Sequence, residues 1–592
     1  MKFIRVAECY SKLEELSGRL EMIDVLKRLF LEARPDEAEK IAYLTLGKIA
    51  PDYEGLELGL GEKLALRAIS IASGVSDQII SKEYKKIGDI GKLAEWAVGK
   101  RPSLFGKEEL TLDRVFNSLI KIAKATGSDS QDIKIRTFAG LLSDSEPIEA
   151  RYIARIVMGR LRLGVQDMTL LDALAEAYLG SRERRSLLEE KYNIYPDIGR
   201  IARAVAEKKE KGLEEIDVTL GVPIRPMLAQ RVKSADEVIE RIPKMYAEHK
   251  YDGERMQIHI WRDGRVKLFS RRLEDITAPY PDVRDALKAF VGRDMILDAE
   301  TVAVNPDTGE ILPFQELMHR RRKYGVEEAM EQYPAVTYVF DVLYLDGKSL
   351  INLPLRERRR ILEEIVPKEG NIREVIYKEI DGNLQELEAF FEEAVEKGME
   401  GLVIKDPNSR YQAGTRGWNW IKLKRSYISK MIEPVDLVVV GAFMGRGKRA
   451  GTYGALLMAA YDPKEDKYKT VCKMGSGFTD EDLSRLPEIF KPYITEVRDP
   501  SVESKIEADV WFQPKIVLEV IGDEITLSPV HTCGFNSIRK GSGLAIRFPR
   551  FTGRWRDDKG PEDATTEDEI IQMYKSQLKE IKEEEKIKEE AA

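Results

Sequence analysis

Lys250 is followed by Asp252, Gly253 and Arg255 in the run EHKYDGERMQIH, so that the pattern Lys-x-Asp-Gly-x-Arg ends as an alternating apolar segment begins. A lysine amine at the edge of a strand can attack phosphorus, but only in its neutral form. Neighbouring cations favour that form by opposing a further positive charge, and Arg255, Lys422 and Lys424 are candidates for the task. The same cations would stabilise charge developing on an α-phosphate. Glu300 closes the run LDAE and Glu400 opens EGLVIKD; carboxylates in such places can take ribose hydroxyls or a magnesium ion. Phe340 offers a flat face to a purine. Asp-Gly is also a common turn dipeptide, and the short pattern alone describes a charged turn equally well. What gives it weight is an ordered series downstream: SRR at 270–272, LDAE ending at 300, VFDVLYLDG at 339–347, EGLVIKD at 400–406 and WIKLK at 420–424.

Positioning these groups requires sheets, and the sequence supplies them. Between about 245 and 424, apolar alternation in MQIHIW, VKLFS, MILDAETVAV and GLVIKD is broken by helical stretches such as LQELEAFFEEAVEKG, which predicts a mixed α/β domain. Residues 1 to about 215 instead carry apolar residues at three- and four-residue intervals, with prolines at 35, 51, 102, 147 and 196 between the runs; this predicts an all-α array. A boundary near 220 follows from the change from AVAEKKEKGLEEID to GVPIRPMLAQ. After 433 the pattern is mostly strand with Gly-rich turns, which suits a small β-barrel, and a terminal helix is expected from near Thr566. The expected organisation is therefore multidomain: a helical domain over 1–220, an α/β domain over 221–428, and a β-barrel with a C-terminal helix over 429–592.

The net charge of −8 argues against a uniformly basic nucleic-acid binder, yet the Glu- and Lys-rich end from Glu580 to Glu590 holds part of the acidic excess away from any site. Charged residues make up 33% of the chain, a composition compatible with thermophile ion-pair networks. Cys9, Cys472 and Cys533 are too dispersed for a disulfide framework or a paired-cysteine zinc site. No apolar run is long enough to span a bilayer, and the first residues lack a signal-peptide core. A soluble, cytoplasmic monomer is expected.

The ordered series resembles the motif set of the ATP-dependent DNA ligases, within the covalent nucleotidyltransferase superfamily, and is most similar to the archaeal and eukaryotic replicative type. GVPIRPMLAQ resembles the opening of the adenylation domain, AIRFPRFTGRWRDDKGPEDATT at 545–566 the last ligase motif, and the helical region the DNA-binding domain. The resemblance implies an OB-fold for the barrel. It implies that Lys250 carries AMP, that Glu248 touches adenine, and that Arg255 and Arg271 contact phosphate, Arg271 at the DNA 5′ end. Glu300 would contact ribose and Phe340 stack on the base. Arg416, Lys422 and Lys424 would bind the triphosphate, with Lys405 close by. Glu400, with Glu300, would hold Mg²⁺ or Mn²⁺, and Arg554, Arg556, Asp558 and Lys559 would close over ATP about a hinge in RSYISKMIEP.

The activity so implied is ATP-dependent sealing of 5′-phosphate/3′-hydroxyl nicks in duplex DNA, in replication, repair and recombination, through lysine-AMP and DNA-adenylate intermediates. Nick recognition without sequence preference calls for backbone contacts, for which MGRLRLGVQD at 158–167 and GRGKRAGTYG at 445–454 are candidates. Leu104 and Phe105 in KRPSLFG are candidates for docking on a sliding clamp. An RNA-capping guanylyltransferase or RNA ligase shares the Lys-x-Asp-Gly nucleophile, but the long helical region disfavours both. A DNA-binding scaffold with a dead nucleotide site would not need the full complement of lysines present here.

Overall fold

The computed structural model describes residues 1–101, 106–306, 309, 311–424, 433–445, 447–522, 524–547 and 549–578. From Phe3–Glu15 to Glu210–Glu214, helix follows helix. Local chemistry sets their starts: Pro35 and Pro147 occupy first turns, where a missing N–H costs nothing. Ser76, Thr111 and Asp197 accept backbone N–H groups as N-caps. Their apolar stripes merge into one core that includes Phe3, Tyr10, Leu26, Phe30, Tyr152 and Ile201.

Among the described residues, eleven strands build the middle of the chain: β1 (Leu228–Arg231), β2 (Lys244–Lys250), β3 (Glu254–Ile260), β4 (Val266–Ser270), β5 (Met295–Ala303), β6 (Ala335–Leu345), β7 (Lys348–Ser349), β8 (Ile372–Glu374), β9 (Tyr377–Asp381), β10 (Gly401–Lys405) and β11 (Arg416–Lys424). They form two sheets, of order β1-β11-β10-β2-β9 and β4-β3-β5-β6-β7, with β8 also on β6. Helices Ala235–Arg241 and Leu384–Glu396 bury Val238, Leu387 and Phe390 with the first sheet; Pro281–Ala286 and Leu355–Ile365 bury Val283, Leu355 and Leu362 on the side of the second. Met227, Ile296, Leu343, Tyr411 and Trp420 pack between the sheets. The cleft lies where the sheets face one another.

The remaining chain is again sheet-rich. β12 (Val435–Met444), β13 (Tyr453–Asp462) and β14 (Lys467–Met474) form its antiparallel centre. β15 (Ile494–Thr495), β16 (Val502–Glu503), β17 (Val510–Phe512) and β18 (Val517–Ile521) extend it, and β19 (Glu524–Ser528) pairs with β20 (Gly543–Arg547). The last strand, β21 (Arg550–Trp555), pairs with β18. A helix over 567–578 follows, as expected from Thr566, and buries Ile570 and Tyr574 in the sheet's core. Among the described residues no helix is long and apolar enough to cross a membrane. The expected clamp contact, Leu104 and Phe105, and residues 425–432 of the hinge expected near 425–433 lie outside the described residues.

Candidate active site

Lys250 is the last residue of β2, opposite Gly401 of β10, and the Glu400 N–H donates to the Lys250 carbonyl at 3.0 Å. That register brings the Lys250 ammonium onto the Glu400 carboxylate in an ion pair. Beyond Lys250 the chain leaves one sheet for the other through Tyr251, Asp252 and Gly253, and β3 begins at Glu254. Gly253 is required at the crossing: a Cβ there would stand 2.2 Å from the Thr301 carbonyl oxygen. At Gly401, φ is +150° and a Cβ would stand 2.0 Å from the Leu423 carbonyl oxygen, so the strand carrying Glu400 also needs glycine. The turn motif thus places a lysine amine at the seam between two sheets.

One cavity of about 180 Å³ collects Glu248, Lys250, Arg255, Arg271, Glu300, Phe340, Glu400, Lys405, Arg416, Lys422 and Lys424, together with Arg554, Arg556, Asp558 and Lys559 from the C-terminal sheet unit. All fifteen of these residues, each expected at the site from the sequence, therefore line the same space. Their partners sort them. Arg255 is held by Asp298 through Nε at 3.1 Å and Nη2 at 2.8 Å, and its Nη1 donates to the Met227 carbonyl at 2.6 Å. Tyr411 donates to Asp298 at 2.6 Å, completing the clamp. The Glu248 carboxylate is buried between Lys405, at 2.7 Å, and Arg359. Lys405 also lies 4.2 Å from the Phe340 ring centre and 3.9 Å from that of Trp420, so an aromatic wall and a cation stand side by side.

The electrostatics correct one expectation. Lys250 was expected to be pushed toward neutrality by nearby cations, but its pKa is raised: against the cost of burial, Glu400, then Glu300 and Asp252, hold the proton on. Arg255 cannot oppose this strongly because Asp298 already balances its charge. Three other lysines of the cavity do fall: Lys422, through burial and the crowding of Lys424, Arg231 and Arg416; Lys405, through burial against the pull of Glu248; and Lys559, to about 7, through burial and Arg556. Burial lifts Glu300 to about 8 even with Lys250 and Arg255 opposing it. Arg271 is lowered by burial, Arg416 and Arg556, and its Nε has no hydrogen-bond partner among the described residues. An anion would find a guanidinium there with capacity to spare.

The C-terminal unit is docked over the opening. Arg554 bridges to Asp252 at 2.9 Å and to Glu400 at 3.7 Å, and its guanidinium lies 4.0 Å from the Phe314 ring centre. Arg556 is chelated by Asp558 at 2.9 and 2.8 Å, while Lys559 pairs with Asp436. Arg416 pairs with Glu569 of the terminal helix at 3.2 Å, and Lys424 lies 3.7 Å from Glu433.

Several members of the site were not singled out from the sequence: Arg359, Asp298, Tyr411, Trp420, Asp436, Glu519 and Glu569. Arg359 had a signal. Leu355, Arg358, Arg359 and Leu362 are all buried at helical spacing, so the run RERRR reads as a helix turning two arginines inward. Of the candidate DNA-contact segments, Arg160 donates to the Tyr84 hydroxyl at 2.8 Å and Arg162 donates to Gln513 of the C-terminal unit. In the glycine-rich stretch, Arg449 is turned inward onto the Gly454 and Gly475 carbonyls at 2.9 and 2.5 Å.

A lysine at the seam of two sheets, ringed by cations and carboxylates and covered by a separate β-unit, defines a nucleotidyl-transferring enzyme. Comparison with known proteins gives the family. The ATP dependent DNA ligase domain matches residues 226–424, the DNA ligase N terminus 2–175, and the ATP dependent DNA ligase C terminal region 449–559. The chain is 66% identical over 595 residues to DNA ligase 2 of Korarchaeum cryptofilum, with 100% of both chains covered. It is 54% identical to DNA ligase 2 of Thermofilum pendens, with 97% of each covered. To the DNA ligase of Pyrobaculum calidifontis it is 53% identical, with 98% of this chain and 99% of that one covered. The chain belongs to the ATP-dependent DNA ligases, enzymes that use ATP to join DNA.

Proposed function

We propose that Lys250 is the residue that carries AMP, and that the chain seals nicks in duplex DNA in three balanced transfers. The observation that carries this reading is the convergence on Lys250 of cavity-lining groups from both central sheets and from the C-terminal unit. In the first transfer the neutral Lys250 amine attacks the α-phosphorus of ATP; an N–P bond forms, the α–β bridging P–O bond breaks, pyrophosphate leaves and the amine loses a proton. In the second, an oxygen of the DNA 5′-phosphate attacks that phosphorus, the N–P bond breaks and Lys250 regains its proton. In the third, the 3′-hydroxyl oxygen attacks the 5′-phosphorus, an O–P bond forms, the anhydride P–O bond to AMP breaks, AMP departs and the hydroxyl proton passes to solvent.

The side chains divide this work by position. Phe340 stacks on adenine, Glu248 with Lys405 marks the base end, and Glu300 takes the ribose. Arg255, held by Asp298, keeps the β3 edge of the cleft in place and contacts phosphate. Arg271, Arg416, Lys422 and Lys424 receive the phosphates, and Arg556 with Lys559 orients the departing pyrophosphate. Glu300 and Glu400 are a fitting donor pair for Mg²⁺ or Mn²⁺: the described residues offer no cluster of three or more metal-binding groups, and magnesium is commonly held by one or two carboxylates plus substrate phosphates. When bound there it would neutralise phosphate charge. Residues 1–220 serve as the DNA-binding domain, 221–428 as the adenylation domain, and 429–592 as an OB-fold unit with its terminal helix. The protein works as a monomer in the cytoplasm, and clamp docking through Leu104 and Phe105 belongs to the same reading.

Incubation with α-labelled ATP or GTP, followed by nicked DNA or nicked RNA, tests the substrate class. Label from ATP that chases into sealed DNA is expected. Label from GTP alone would establish a guanylyl transferase instead.

A further inference from the structure

We propose that the loop Arg322-Lys323-Tyr324 is a preformed contact for the sugar-phosphate backbone of the duplex beside the nick. Tyr324 is 79% exposed, more than any other large apolar side chain reported exposed among the described residues. Arg322 and Lys323 are exposed too, and neither has an ion-pair partner among the described residues, whereas most arginines of this domain are engaged. The Lys323 ammonium lies 5.9 Å from the centre of the Tyr324 ring. Two solvated cations beside a solvated aromatic ring match what a nucleic-acid backbone recognises: charge for phosphates and a flat apolar face for sugar.

The loop is held rather than loose. Arg320, fully buried, chelates Asp282 and donates to the Pro279 and Tyr333 carbonyls at 3.1 and 2.8 Å. Arg321 is fixed by Glu254 and by Glu274, the latter at 3.1 Å. Gly325, at φ +70°, then starts the next helix. Two consecutive anchors thus fix the three residues that follow, so little ordering entropy remains to be lost on binding.

Its place is also suited to the substrate. Glu274, which holds Arg321, is 3.8 Å from Arg272, and Arg272 neighbours the cavity residue Arg271. Arg272 in turn donates to the Asp557 carbonyl of the docked C-terminal unit at 3.5 Å. Earlier in the same stretch of chain, the Phe314 N–H donates to the cavity residue Asp252 at 3.3 Å. The loop is thus joined through Arg321, Glu274 and Arg272 to the neighbour of Arg271 at the nucleotide cavity, and in this proposal a duplex presenting its 5′-phosphate to Arg271 passes the loop. Glu327 and Glu328, exposed on the following helix, are the local charges that oppose it.

This inference rests on the ligase reading, and the experiment separates the two. Binding of the full chain to a nicked duplex with a blocked 3′ end is titrated across salt concentrations. For R322Q/K323Q, the slope of log affinity against log salt should fall by about 2, one phosphate contact per lost cation, and low-salt affinity by about tenfold or more. Y324A should weaken binding with the slope kept. E327Q/E328Q should tighten binding, a gain that misfolding cannot imitate. An unchanged slope in R322Q/K323Q, or weakening alike at every salt concentration, overturns the loop's role, as does unchanged or weaker binding by E327Q/E328Q. A parent protein that fails to bind nicked duplex sinks the ligase reading itself.

Discussion

At the scale of residues, the Lys250 and Glu400 ion pair bears directly on the proposed role of Lys250 as nucleophile. Glu400 raises the pKa of Lys250, so at any given pH fewer molecules carry the neutral amine than an isolated lysine would allow. On the proposed reading, Lys250 must give up this proton, and with it the ion pair to Glu400, before its amine can attack. In the nucleotide-free protein, Glu400→Gln removes the nearest charge holding the proton, and the pH midpoint for modification of Lys250 by an amine reagent should move to lower pH. A midpoint that stays or rises would contradict the pairing. The identity of most site residues was legible because they sit in ordered runs, such as LDAE and WIKLK. Their ionic partners were not: Arg255 and Asp298 are 43 positions apart, and Arg359 and Glu248 are 111 apart. Spacing carries no signal over such separations, and the Glu400 carboxylate that holds the proton on Lys250 is likewise distant in the chain.

At the scale of elements, the seam depends on a backbone crossing that tolerates no side chain at Gly253. Gly253→Ala would place a Cβ 2.2 Å from the Thr301 oxygen, and relief requires β3 to move from β5. A loss of about 3 kcal/mol is expected in denaturant unfolding of the central sheets, with self-adenylation falling alongside. Parent-like stability would show that the crossing has slack. The strands themselves were legible from alternation, as were the helices from apolar spacing and their proline starts. The pairing of β2 with β10 was not, because 150 residues separate Lys250 from Glu400 and hydrophobic pattern does not specify which strands become neighbours.

At the scale of the whole molecule, the closed arrangement joins three parts of the chain around ATP chemistry. Arg554 reaches Asp252 and Glu400, Glu569 of the terminal helix reaches Arg416, and Arg162 of the helical array reaches Gln513. Arg162 is thus covered in this state, and its use on DNA requires the C-terminal unit to leave. Removing everything after 545 is a poor probe of closure, since it also removes β21 from β18. Point changes are cleaner. Arg556→Ala with Lys559→Ala should slow self-adenylation by about 100-fold, the usual scale for losing charge stabilisation of a transition state, and should slow sealing of a pre-adenylated nick by far less. Equal losses in both would mean that these side chains serve more than the first transfer. The most direct measurement of all is to locate the covalent AMP: the protein is incubated with α-labelled ATP and Mg²⁺, digested, and the acid-labile nucleotide mapped by mass spectrometry. Modification at Lys250, absent from Lys250→Ala, is the expected result; AMP on any other residue, or label retained by Lys250→Ala, would contradict it.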